Sequence, residues 1–212
     1  MSDICIKNCE NMLADVYMAK TCLGLYEQTL GYDPRPSEMK DQFFYFSNRC
    51  YLYTLMMLLS KTYDRHKDAK SLTKFLDTVE KNNPLDIVGA QIGKDRELLS
   101  SLSSDIEFLI ALRNKFYAHN GTTDRNQLRM TAPLTTRKIK NLVDCAEKIL
   151  KYYYRLFNSE VSNEAWHYND YVIADFKNIK SQLEHYFELY LRNLENGISV
   201  STPQDVNRSD HE

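Results

Sequence analysis

The chain has 212 residues, 43% of them hydrophobic, and 27 basic against 29 acidic side chains give a formal net charge of -2. That is apolar material for one good core or two small ones, and the balance excludes the bulk basicity that announces a general nucleic-acid binder. Five cysteines (Cys5, Cys9, Cys22, Cys50, Cys145) are odd in number and scattered, with no Cys-x-x-Cys pair, the pattern of reduced thiols in a cytosol rather than a disulfide framework. Cys5 and Cys9 can share a helix face. A zinc site needs four ligands in tight pairs, however, so neither a metal nor another cofactor is expected.

The N-terminal "MSDICIKNCENML" carries acids early and lacks an apolar stretch of the secretory kind. The longest apolar run, "YLYTLMMLLS" at residues 51–60, is half of the roughly 20 residues a membrane span requires. A cytoplasmic protein with no membrane association is expected.

Six glycines and five prolines, with no full run of alternating Val, Ile and Thr, make the periodicity helical nearly throughout. A first helix is predicted over about residues 4 to 30, ending at Gly31 and the "DPRP" turn. A second follows Ser37, runs through Phe43, Phe44 and Phe46, and reaches about Tyr63. After the polar "DRHKDAK", Ser71 is the expected N-cap of a short helix to about Lys81, and Pro84 opens an amphipathic segment to about Leu102.

Ser104-Asp105-Ile106-Glu107 has the form of a capping box, serine and glutamate each satisfying the other's backbone donor. It predicts a helix that ends near Asn120-Gly121, where a left-handed residue is easy. A loop containing Pro133 comes next, then two long helices over about 136 to 158 and 170 to 196. In the last, Val172, Phe176, Ile179, Leu183, Phe187, Tyr190 and Leu194 form one stripe. The fold class expected is all-α: a single-domain helical bundle over residues 1–197, with a disordered tail over 198–212 that lacks core-forming residues.

The helix after the capping box breaks its own pattern. Placed on a wheel, Ile106, Phe108, Leu109, Ile110, Leu112, Phe116 and Tyr117 cover an arc of about 200°, wider than one buried face needs. Such a helix is central, packed by its own subunit on one side and by something else on another. Arg113 falls inside the arc, where a permanently charged guanidinium must be hydrogen-bonded. His119 lies on one border and Asn114 on the other. Arg113 and His119 are about 120° apart, so they converge only if the helix loosens in its last turn or if two copies meet. The helix dipole there favours imidazolium. Two readings stand: Arg113 pairs with a core acid (Asp64, Asp77 or Glu107) while His119 caps the helix, or the two belong to a reactive site.

From Arg113 to Lys140 the basic residues are Arg113, Lys115, Arg125, Arg129, Arg137, Lys138 and Lys140, and the one acid is Asp124. A mildly acidic chain thus gathers positive charge directly after the odd helix. This is either a solvated loop face or the footprint of a polyanion site.

The stretch "RNKFYAH" resembles the Arg-polar-x(4–6)-His signature of the HEPN superfamily of helical ribonucleases and nucleotide-associated domains. "NRCYLYTLMMLLSKTYD", "SLTKFLDTV" and "FLIALRNKFYAHN", in that order, resemble its abortive-infection AbiU-type branch over about residues 40 to 125. The resemblance implies an endoribonuclease that needs no metal and works as a homodimer, with two motif helices facing each other across one composite cleft. By matched position it makes Arg113 the cation on the scissile phosphate, Asn114 the polar group that orients phosphate or histidine, and His119 the proton-transfer group. Lys115 and Tyr117, inside the motif, and Arg125 and Arg129, beyond it, are the candidate RNA contacts. A cognate antitoxin or other regulatory partner is a further implication. His119-Asn120-Gly121 lacks the His-x-Tyr that nucleotidyltransferase antitoxins modify in some HEPN toxins, so that route of regulation is not implied. The alternative is a catalytically silent helical module that binds a nucleotide, RNA or a protein partner.

Overall fold

The first helix sets the architecture. The computed structural model describes residues 3–30, 39–66, 69–82, 86–114, 134–157 and 168–195, and these form seven helices with no strand among them. They are α1 (Asp3–Gln28), α2 (Met39–Thr62), α3 (Leu72–Asn82), α4 (Asp86–Ser101), α5 (Ser103–Leu112), α6 (Thr136–Phe157) and α7 (Tyr168–Glu195). On α1, Cys9, Met12, Leu13, Val16, Ala19 and Leu23 recur at helical spacing and are all buried. That stripe makes α1 the hub against which α2, α3, α6 and α7 all pack.

Around it one contiguous core joins six helices. The α3 stripe Leu72, Phe75, Leu76 and Val79 is buried, as are Leu55 and Leu59 from α2, Ile92 from α4, Ile106 and Leu109 from α5, and Leu142, Ile149, Leu150 and Tyr153 from α6. One acid enters this core. Glu147 is buried on α6 because Lys20 reaches it at 2.8 Å and Lys151, one turn on, pairs with its other oxygen. Burial alone would raise its pKa, but the hydrogen bonds and charges of the two lysines outweigh that and hold it below the ordinary carboxylate range. The thiols of Cys5, Cys9, Cys22 and Cys145 are buried and unbridged.

Two expectations need correction. The capping box does not form: α5 begins at Ser103 with Leu102 as its N-cap and no side-chain cap bond. The Ile106 N–H already reaches the Leu102 carbonyl at 3.0 Å, so Ser104 lies within the first turn. Glu107 instead pairs with Arg65 at 3.4 Å. α4 and α5 are nearly continuous, and a chain that barely leaves the helix presents few orphan donors for a serine to cap.

The second correction concerns α7. None of its described side chains is fully buried. Val172, Phe176, Leu183 and Phe187 are half-buried, but Ile179, in the middle of the expected stripe, is 53% exposed. The Phe176 ring meets Tyr51 edge-on at 5.9 Å. A Cβ at Gly24 would lie 2.5 Å from the Ile173 Cδ1, so the glycine is what lets α7 approach α1 this closely. The Asn120-Gly121 helix stop, the Pro133 loop, Tyr190, Leu194 and the 198–212 tail lie outside the described residues or side chains.

Core and stripe are separable by measurement. Leu142→Ala should lower unfolding free energy by about 3 kcal/mol, and Ile179→Ala should change it by less than about 0.5 kcal/mol, both read by urea denaturation. Equal costs at the two positions would mean that α7 contributes to the core after all.

Candidate functional site

The site is built from the end of α2. The Tyr63 ring is buried, and its hydroxyl donates to the Leu142 carbonyl on α6 at 2.6 Å, which pins the last turn of α2. The following residue, Asp64, is thereby carried to α5. Its Oδ1 accepts the His66 backbone N–H at 2.9 Å, an Asx turn that fixes the carboxylate plane. Its Oδ2 accepts from Arg113 Nη1 at 2.6 Å. Both side chains of this pair are 19% exposed. Of the three acids eligible as partners for Arg113, the fold selects Asp64; Asp77 is taken by Arg96 and Glu107 by Arg65.

A second contact completes the hold on the guanidinium. Arg113 Nε donates to Asn114 Oδ1 at 3.0 Å. The remaining nitrogen, Nη2, makes no hydrogen bond among the described residues. Two of the three nitrogens of the planar cation are thus held while Nη2 is left to meet an anion.

The backbone also changes here. Arg113 keeps helical angles, φ -54 and ψ -52, and its N–H is shared between the Leu109 and Ile110 carbonyls. From Arg113 to Asn114 the helix widens into a π-type turn, a departure that often accompanies functional positions. His119, Lys115, Tyr117, Arg125 and Arg129 lie outside the described residues, so the structure brings together Arg113 and Asn114 of the sequence-derived set.

Electrostatics favour the fixed form. Burial pushes the Asp64 carboxyl up, but hydrogen bonds from Arg113 and the His66 backbone, with the charges of Arg113 and His66, outweigh it and leave its pKa below the ordinary 3.8. The basic segment is partly neutralised: Arg113 is paired with Asp64, and Lys138 with Asp105 at 2.8 Å. Arg137 and Lys140 stay exposed.

Asp64 is the residue the sequence undersells. It sits in "TYDRH", a polar break after an apolar helix, and its signal is the buried arginine on another helix that must find a carboxylate. A thiol site is disfavoured by the same packing logic. Cys9 donates to the Leu150 carbonyl at 3.4 Å, and burial, with Glu10 and Cys5 nearby, pushes its pKa up to about 12, which keeps it protonated and a poor ligand. Among the described residues no three His, Cys, Asp or Glu side chains gather as a metal site, and no helix is long and apolar enough to cross a membrane.

The described residues thus form an all-α bundle with a clamped Arg-Asn pair where the motif helix widens. The family model HEPN_AbiU2 (AbiU2) matches residues 10–193, and the chain belongs to this family. The match takes in all of α2 to α6 and most of α1 and α7. No curated protein and no solved structure matches the chain.

The clamp predicts an acid-dependent stability difference. The folded pKa of Asp64 is depressed, so its contribution is fully present above pH 3.8 and is lost as pH falls through the folded value. Asp64→Asn should cost about 1 to 3 kcal/mol at pH 7. The gap between wild type and variant should shrink on titration below pH 3.8. A gap unchanged between pH 7 and pH 3 by denaturant titration would remove the ion pair from the account.

Proposed function

We propose that the protein is an abortive-infection endoribonuclease that stops growth by cutting cellular RNA. The observation that carries this reading is Arg113, held by Asp64 and Asn114 with Nη2 left over, at the widened turn of the motif helix in a chain of the AbiU2 family. A cation fixed before substrate arrives costs little reorganisation when charge develops on a phosphate.

In this reading Arg113 holds the scissile phosphate and Asn114 keeps the guanidinium plane in place. His119 transfers the proton: as a base it takes the 2′-OH proton, and as an acid it protonates the leaving 5′-oxygen. The 2′-oxygen bonds to phosphorus as the P–O5′ bond breaks, giving a 2′,3′-cyclic phosphate and a 5′-hydroxyl. Lys115, Tyr117, Arg125 and Arg129 are assigned to the RNA strand. The side chains supply the acid, base and cation, so no metal or other cofactor is assigned to the step. Phe108, Ile110, Ala111 and Leu112 on α5 are only half-buried within one subunit. A second copy docking there would cover them and bring two motif helices to one cleft. The compartment assigned is the cytoplasm, where the RNA is, and a cognate antitoxin would act by blocking that cleft.

The competing reading is a silent module that binds a nucleotide, RNA or protein partner. The observation that favours it is that Arg113 already has two protein contacts.

Purified protein should cleave RNA in EDTA, leave 2′,3′-cyclic ends, and fail on strands with 2′-deoxyribose at the cut site. His119→Ala should reduce the rate at least about 100-fold. Arg113→Ala should do the same with its helical circular dichroism retained. Cleavage and growth arrest that survive His119→Ala would overturn the assignment, and RNA binding without any cleavage would favour the silent module.

A further inference from the structure

The face of the bundle between α4 and α6 carries a feature the motif does not account for. A helix normally uses an i, i+3, i+4, i+7 row to pack on its neighbour. Here Gln91, Lys94, Asp95 and Leu98 on α4 face Lys148, Lys151, Tyr152 and Arg155 on α6, and the two rows line an open cleft of about 820 Å³ instead of closing on each other. Lys94, Lys148 and Arg155 therefore line one space of the size that takes small ligands, together with Lys151, whose ammonium is already paired with Glu147.

Ordinary surface solvation is a poor account of this arrangement. Lys94 and Lys148 form no ion pair among the described residues, although Arg96, two residues from Lys94, engages both Asp77 and Glu80. The acid in the cleft, Asp95, is 4% exposed, and both its oxygens are occupied, by Gln91 Nε2 and by the Tyr153 hydroxyl, each at 2.9 Å. That bond fixes the Tyr153 ring. Tyr152 stands edge-on to it, centroids 5.1 Å apart, and is 37% exposed. An aromatic ring set among cations in an open groove is the combination that holds single-stranded nucleic acid, phosphates on the cations and a base on the ring.

We propose that this cleft is a second RNA-binding site, distinct from the Arg113 site, which takes a phosphate-and-base segment of the single-stranded substrate. The proposal rests on the ribonuclease reading for its choice of ligand. The two sites share no residue: fifteen positions separate Leu98 from Arg113 along α4 and α5, roughly 20 Å of helical rise. A strand bound at both would cross the α5–α6 side of the bundle, so the cleft fixes which segment reaches Arg113 and sets a minimum substrate length.

The test measures binding apart from cleavage. Fluorescence anisotropy with His119→Ala protein and a labelled uridine oligomer of about 12 nucleotides gives affinity at several salt concentrations. Lys94→Glu with Lys148→Glu should weaken binding at least about tenfold and flatten the log–log salt slope by about 1.4, the loss of two phosphate contacts. Tyr152→Ala should weaken it roughly five- to hundredfold, while Lys81→Glu on α3 serves as the unaffected control. Circular dichroism melts verify that each variant is folded. Unchanged affinity and slope in the charge-reversed protein would overturn the site. A loss on charge reversal with none in Tyr152→Ala would reduce it to general polyanion attraction and overturn the base contact. ATP competing more tightly than the oligomer would replace the RNA strand with a free nucleotide. Cleavage by wild type, scored separately, reports on the ribonuclease reading alone, because cleft variants can lose binding while the chemistry at His119 persists.

Discussion

An arginine cannot discharge itself, and Arg113 is four-fifths buried, so its position depends on where a carboxylate can be held. The carboxylate is Asp64, and several contacts converge on it. Tyr63 is anchored to α6, the Asx turn to His66 sets the carboxylate plane, and the nearby Arg65–Glu107 pair ties the same segment to α5. The ion pair joins the end of α2 to the end of α5, and its geometry follows from packing at the opposite end of the Tyr63 side chain. A charged pair of this kind adds little net stability compared with an apolar contact, but losing one partner leaves the other uncompensated. Its value lies in orientation: a guanidinium held at Nε and Nη1 presents Nη2 in a single direction.

Helices with a clear apolar period were legible in the sequence. The ends of α1, α2, α6 and α7 fall within about two residues of expectation. Two signals misled. Ser104…Glu107 has capping-box chemistry, but the chain before it is already helical, and a side-chain cap needs a backbone that enters from outside. Ile179 shares the α7 period with Phe176 and Leu183 but is exposed, since among the described residues α7 packs mainly on α1 and α2 and so buries a narrower face than its apolar residues span.

The site was half legible. A guanidinium on an apolar arc announces an unseen partner, and that argument reduced the choice to three acids. Selecting Asp64 required knowledge of where α2 ends relative to α5, a tertiary relation that spans 49 residues of sequence. The π-type turn at Arg113–Asn114 has no signature in the residue pattern. The cleft between α4 and α6 was missed because its basic residues sit at ordinary helical spacing. Read one helix at a time, such rows look like solvated faces, and their shared orientation exists only once the helices are paired.

The docking of α7 has a consequence for how the molecule opens. Its described side chains add none to the buried core, and its close approach to α1 depends on the missing Cβ of Gly24. The free energy that holds α7 down is therefore a fraction of the free energy that holds α1, α3 and α6 together. Elements with so little buried apolar surface belong to the low end of the stability scale. Excursions in which α7 lifts would expose the Phe44 and Tyr51 side of α2 while the core and the Asp64–Arg113 clamp remain intact.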